Sequence, residues 1–380
     1  MRHWLSAFVV TVTLSGMAFA ASNNADLDVL GFRVTGGAEL VPPFSKETSN
    51  YEVRVNSDIK VVQVRAAPWT SRSKLTLNGE PIDNSLIWYR VNVNPGDNPI
   101  TIAVQAPDNQ TSKKYTITVK RADDKPIADA FQKFVYTDTG SGLKMPYRLF
   151  IPSNYDQSKS YPLVLFLHGG GENGDDNEKQ LHGTEGATVW AEPAEQAKRP
   201  AFVLAPQARA YFGGDPKLPI GGFGITRNRD SERYMDEVLT PSSDVRLALR
   251  ILERVLGEYN IDRKRVYVTG LSQGGFGTWN ISLLRPDLFA AMIPIAGGGD
   301  PTQMGKLVNK PIWAFHAEDD PVIPVTYSRN SINALRQMGG HPVYTELPSG
   351  TFFEPNEHFS WVYAYKNEAV REWLFKQALP

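Results

Sequence analysis

Five runs in the later part of the chain are continuously apolar: Leu163-Val164-Leu165-Phe166-Leu167, Phe202-Val203-Leu204, Val266-Tyr267-Val268, Met292-Ile293-Pro294-Ile295 and Ile312-Trp313-Ala314-Phe315. A strand with one face in water alternates polar and apolar residues, so unbroken runs indicate strands covered on both faces. Helical patterns separate them. Ser243 can cap a helix through Leu247, Ile251, Val255 and Leu256 to Tyr259, and further helices are expected at Gly274–Arg285, Tyr327–Met338 and Glu368–Gln377. Strands alternating with helices predict a mostly parallel sheet with helices on both faces.

Residues 24–122 have another texture. Tyr51–Val55, Val61–Val64, Lys74–Leu77, Tyr89–Val93, Ile100–Val104 and Tyr115–Val119 alternate, and Asn78-Gly79, Asn94-Pro95-Gly96-Asp97 and Asp108-Asn109 separate several of them. This pattern predicts an antiparallel β-sandwich with no helix. Asp123-Asp124-Lys125-Pro126 reads as a linker. A chain of 380 residues is long for one core, and two domains are expected, 24–122 and 130–380.

Ahead of them, Arg2, the uncharged stretch Trp4–Met17 and Ala18-Phe19-Ala20 read as a signal peptide over residues 1–20, cleaved after Ala20. The expected location is secreted or periplasmic, with no stable membrane anchor. There is no cysteine, which excludes disulfides, a thiolate nucleophile and a cysteine-ligated metal. With 40 Lys and Arg against 41 Asp and Glu, the chain has no basic excess for phosphate contacts, and no nucleic-acid partner is expected.

Gly270-Leu271-Ser272-Gln273-Gly274 directly follows a buried strand and directly precedes a helix. A G-x-S-x-G motif in that setting is a nucleophile elbow, a strained turn that exposes a serine. The flanking glycines fit because larger side chains would collide with the crossing strand and helix. A serine needs a base. Of the six histidines, His341 precedes the strand Val343–Leu347 and so lies at the wrong end of the sheet. His358 follows that strand and is the best candidate base; His316, ending a strand at the correct edge, is the runner-up, with a structural role as its plainer reading. The acid should come from Glu318, Asp319 or Asp320, and the rigid Pro321-Val322-Ile323-Pro324 would fix the direction of Asp320. His168-Gly169-Gly170-Gly171 follows another strand, and the backbone N–H groups of Gly170 and Gln273 are expected to form the oxyanion hole. The segment 208–237, with Tyr211, Phe212, Phe223, Tyr234, Arg227 and Arg229, is either a lid or pocket wall, or a surface loop held by its own aromatics. No metal pattern stands out, and no cofactor is expected.

The stretches Leu167–Asn177, Leu204–Gln207, Ile261–Gly275, Phe315–Pro324 and Glu357–Trp361, in that order, resemble the secreted bacterial α/β-hydrolase esterases grouped with polyhydroxybutyrate depolymerases, feruloyl esterases and the phospholipase/carboxylesterase family. The resemblance puts nucleophile, acid and base on Ser272, Asp320 and His358, and it selects Asp320 over Asp319. It implies a serine esterase acting on small acyl or aromatic esters, with the ester attached to a polysaccharide as one option. Ala317 stands where relatives often have glycine. Gly36–Leu40, Pro43-Phe44-Ser45, Tyr51, Asn78-Gly79 and Tyr115–Val119 resemble immunoglobulin/cadherin-like sandwich modules, which implies a spacer or docking role ahead of sugar binding. Rival readings are a serine peptidase of the prolyl-oligopeptidase kind and a non-catalytic surface-binding protein.

Overall fold

The computed structural model describes residues 22–34, 37–55, 57, 59–83, 87–123, 125–210, 222–224, 241–351 and 357–380. The expected signal peptide 1–20, Asp124 of the linker, and Tyr211, Phe212, Arg227, Arg229 and Tyr234 of the 208–237 segment lie outside them.

The first part holds β1 (Leu27–Arg33), β2 (Asn50–Val55), β3 (Val61–Pro68), β4 (Lys74–Leu77), β5 (Glu80–Ile82), β6 (Tyr89–Asn92), β7 (Gly96–Gln105) and β8 (Ser112–Arg121). They form two sheets, ordered β1-β3-β6 and β2-β8-β7-β4-β5. Every second residue of β7 and β8 points inward: Ile100, Ile102 and Val104 meet Tyr115, Ile117 and Val119 in one apolar core. The sandwich departs from the expected pattern at one pair. β2 runs parallel to β8, with Tyr51 opposite Ile117, while the other pairs are antiparallel. Alternation fixes which face is buried and is blind to strand direction.

After α1 (Lys125–Asp129) come β9 (Gln132–Thr137), β10 (Lys144–Phe150), β11 (Tyr161–Leu167), α2 (Lys179–His182), α3 (Pro193–Lys198), β12 (Phe202–Pro206), α4 (Ser243–Glu258), β13 (Ile261–Leu271), α5 (Gln273–Leu284), β14 (Ala291–Ile295), β15 (Trp313–Ala317), α6 (Thr326–Gln337), β16 (Val343–Leu347), α7 (Ser360–Lys366) and α8 (Glu368–Phe375). The eight strands order as β16-β15-β14-β13-β11-β12-β10-β9. β11 to β16 pair in parallel, and β9 and β10 add an antiparallel edge. Both faces are covered, as the apolar runs require. Leu163, Leu165 and Leu167 pack with Ile251, Leu252 and Val255 of α4, whereas Val164 and Phe166 pack with Trp190, Trp361 and Leu374 on the other side. This is the α/β-hydrolase fold preceded by an all-β sandwich.

One cap differs from expectation. The Ser242 hydroxyl, not that of Ser243, accepts the Val245 N–H at 3.1 Å, while Ser243 Oγ accepts from Arg209 at 2.7 Å. Adjacent serines before an amphipathic helix are equivalent in sequence, and tertiary contacts choose between them.

β11 lies between β12 and β13, and the chain passes from β11 to β12 on one side and then through α4 to β13 on the other. The crevice outside their carboxyl ends is the switch point where such sheets bind ligands. Ser272 follows β13 there with φ 53° and ψ −118°. The glycines around it have no room for a side chain. A Cβ on Gly270 would lie 2.4 Å from Gly274 O, on Gly274 1.9 Å from Leu167 O, and on Gly275 2.2 Å from Ile295 O. Gly274→Ala is expected to cost at least about 3 kcal/mol in urea unfolding, because backbone must move. Gly257→Ala, where nothing lies within 4 Å in the last turn of α4, should be neutral or stabilise by about 0.5 kcal/mol. Equal effects of the two substitutions would contradict the packing argument.

Candidate active site

The elbow lifts the Ser272 side chain off the sheet. Its N–H donates to Ile295 O at 2.9 Å, tying the turn to the end of β14. His358, eleven residues past β16, brings Nε2 to 2.9 Å from Ser272 Oγ. Its Nδ1 lies 2.6 Å from Asp320 Oδ2. A carboxylate only accepts, so Nδ1–H donates and Nε2 is left to accept the serine proton. Three residues from three separate loops therefore form one hydrogen-bonded chain.

Asp320 is locked. Its Oδ1 accepts the Val322 and Ile323 N–H groups at 2.8 and 2.9 Å, across the proline-bounded stretch. Burial alone would raise its pKa, but hydrogen bonds from His316 and His358, the charge of His358 and the Ile323 N–H hold the carboxyl well below the usual range. The neighbouring Asp319 turns elsewhere, its Oδ2 accepting from Ser349 Oγ at 2.7 Å and Gly350 N at 2.8 Å. His316 is fully buried and reaches Asp320 rather than Ser272. Its Nε2 lies 2.9 Å from Ile323 O and 3.2 Å from Asp320 Oδ2, and its Nδ1 lies 2.8 Å from Ser328 Oγ. It braces the acid loop, in line with the structural alternative. His341 is exposed at the amino end of β16.

Gly170 opens a short 3₁₀ turn, Gly170–Glu172, and Gln273 is the first residue of α5, where N–H groups have no partner within the helix. One device here escapes sequence reading. His168, fully buried, holds its Nδ1 at 2.7 Å from Gly169 O, and its Nε2 accepts the Ala208 N–H at 2.9 Å. Carbonyl and N–H of a trans peptide point in opposite directions. Gripping Gly169 O therefore turns the Gly170 N–H away from the imidazole. A histidine before a glycine run was the available signal, but its use as a backbone clamp depends on Ala208, forty residues away.

The cavity beside Ser272 has a volume of about 560 Å³. Gly169–Gly171, Ser272 and His358 line it, and Phe359 and Trp361 give it an aromatic side; Gln273 is not among its lining residues. Trp361 meets His358 edge-on, with ring centroids 5.0 Å apart. A further wall comes from the sandwich: Ile59, Lys60 and Val61 face the same space. The β2–β3 connection is fastened to the α/β part, where Ser57 N and Oγ donate to Glu185 Oε1 at 3.0 and 3.2 Å, and it is held within the sandwich by Arg121 Nε, which donates to Ser57 O at 3.0 Å. Of the 208–237 segment, the described Phe223 is fully buried and packs against the His168 ring at 4.9 Å.

A family model described as "Putative esterase" matches residues 140–342, more than half of the chain. This chain belongs to that esterase family. A model described as a cadherin-like beta sandwich domain matches residues 22–122. The crystal structure of a thermostable esterase is 30% identical and covers 87% of this chain and 99% of its own, with a TM-score of 0.62. The bis(hydroxyethyl) terephthalate hydrolase of Streptomyces coelicolor is 28% identical over 213 residues, 52% of this chain and 63% of its own length. The poly(3-hydroxyalkanoate) depolymerase C of Paucimonas lemoignei is 45% identical over 49 residues, 13% of this chain and 12% of its own. The match thus spans less than two thirds of either curated relative.

The clamp has a pH signature. Burial pushes the His168 pKa down to about 4 from an ordinary 6.5, despite its bond to Gly169 O. Between those values the unfolded chain binds a proton that the folded one refuses, so stability falls as the pH drops through that window, by up to about 3 kcal/mol. Urea unfolding of His168→Asn should show a shallower dependence between pH 6.5 and 4 than the parent. Equal slopes would show that His168 protonates within the fold.

Proposed function

We propose that this protein is an exported serine esterase that hydrolyses carboxylic esters through an acyl-enzyme on Ser272. The observation that carries this reading is the chain Ser272 Oγ to His358 Nε2 at 2.9 Å and His358 Nδ1 to Asp320 Oδ2 at 2.6 Å, open to a 560 Å³ cavity. His358 takes the Ser272 proton as Oγ attacks the ester carbonyl. The negative charge that develops on the carbonyl oxygen is met by the N–H groups of Gly170 and Gln273. His358 returns the proton to the departing alcohol. Water then gives up a proton to His358 as it attacks the acyl carbon, and His358 passes that proton to Ser272 Oγ as the bond to the acyl carbon breaks and the acid leaves. Asp320, kept ionised by its four hydrogen-bond donors, orients the imidazole and stabilises its positive form. The mechanism needs no cofactor.

Substrates of small acyl or aromatic, feruloyl-type acids fit the Phe359 and Trp361 lining, and the terephthalate ester in the name of one relative supports the aromatic option. Polysaccharide-linked esters follow from the same reading. Residues 1–20 serve as the signal peptide, 24–122 as the sandwich domain and 130–380 as the catalytic domain. Among the described residues no helix is long and apolar enough to cross a membrane.

The mature chain should turn over 4-nitrophenyl acyl esters and methyl ferulate. Ser272→Ala should lower kcat by about 10⁴-fold or more, and Asp320→Asn by a similar order, with KM little changed. Equal rates for the parent and Ser272→Ala would remove Ser272 from the mechanism.

A further inference from the structure

We propose that Lys60, supplied by the sandwich, makes this site selective for esters that carry a second, free carboxylate remote from the bond that is cut. The proposal rests on the esterase reading above. The titratable side chains lining the cavity are Lys60, Glu172, Lys179, His182 and His358. Lys179 is paired with Asp176 at 3.0 Å, His182 lies 3.5 Å from Glu178, and His358 is engaged by Asp320 and Ser272. Glu172 is folded into the wall, in the space that two glycines leave: a Cβ on Gly183 would lie 2.3 Å from its Oε1, and one on Gly169 3.1 Å from its Oε2. Burial pushes that carboxyl up, with Lys60 pulling it back only weakly. Among the described lining residues, Lys60 is the cation with no ion pair of its own, and it is exposed.

Lys60 is also held in place. Ile59 is buried, Lys60 O accepts the Val93 N–H at 3.0 Å, Val61 begins β3, and Ser57 is fastened to Glu185 three residues earlier. The flexible part is its own methylene stem, which lets the ammonium follow a ligand. Ile59, Val61, Leu271, Phe359 and Trp361 give the hydrocarbon body of a substrate an apolar seat. An apolar body with one end at Ser272 and a carboxylate at the other describes a hemi-ester of a dicarboxylic acid.

The test compares two esters of matched length, 4-nitrophenyl hexanoate and mono-4-nitrophenyl adipate, on the full mature chain. Lys60→Met keeps the stem and removes the charge. It should lower kcat/KM for the adipate ester about fivefold, mainly through KM, and change the hexanoate by less than about twofold. Lys60→Arg should keep the adipate rate, and Lys60→Glu should lower it beyond Lys60→Met. High salt should slow the parent on the adipate alone. A Lys60→Met variant that loses both esters in step, or that keeps its adipate rate, overturns the proposal. No turnover of either ester by the parent overturns the esterase reading, and with it this one.

Discussion

A serine held at φ 53° and ψ −118° is in a backbone region that side chains avoid, at a cost of about 1–3 kcal/mol unless the surroundings impose it. Here they do. The Ser272 N–H is fixed on Ile295 O, and α5 crosses the end of β11 so closely that Gly274 would put a Cβ 1.9 Å from Leu167 O. That crossing is possible because β11, β13 and β14 are parallel neighbours buried on both faces. Every other feature of the site is measured from this turn. The Ser272 hydroxyl meets His358 because the elbow raises it, and Gln273 follows it as the first residue of α5 because the turn ends in a helix.

Around the elbow, buried polar groups are satisfied in a definite order. Asp320 accepts from two backbone N–H groups and from two histidines, so its charge is retained where burial would neutralise it. His168 stays neutral, with one nitrogen donating to Gly169 O and the other accepting from Ala208. One imidazole thus sets the direction of a carboxylate loop and another the direction of a glycine loop. Neither touches the Ser272 hydroxyl. Fixed dipoles of this kind spare the site from reorganising during reaction, which is the main source of electrostatic catalysis.

Much of this was legible in the sequence because it follows from local chemistry. Unbroken apolar runs marked β11 to β15, and the glycine-flanked Ser272 between strand and helix marked the elbow. Chain order and strand polarity separated His358 from His341. What was not legible depends on contacts across sequence. β9 and β10 escaped because an edge pair with polar residues such as Lys133, Lys144 and Arg148 shows no apolar run; buried Arg148 pairs with Glu178 and donates to the carbonyls of Phe131 and Asn177. The parallel pairing of β2 with β8 has no signature in alternation. The choice of Asp320 over Asp319 needed the resemblance to known esterases, whereas the fold separates them by what each accepts from. The presence of Lys60 in the same cavity as Ser272 joins residues more than two hundred positions apart, and the Ser57–Glu185 contact holds that part of the chain there. The sandwich lines one side of the cavity, which the expectation of a spacer or docking module did not include.

The proposed mechanism makes Ser272 the nucleophile and His358 its activating base. It is tested most directly by treating the mature protein with a fluorophosphonate and locating the adduct by peptide mass spectrometry. A single phosphonyl group on Ser272 of the parent and strongly slowed labelling in His358→Ala are expected. An adduct on another residue, or labelling that proceeds at the parental rate without His358, would contradict it.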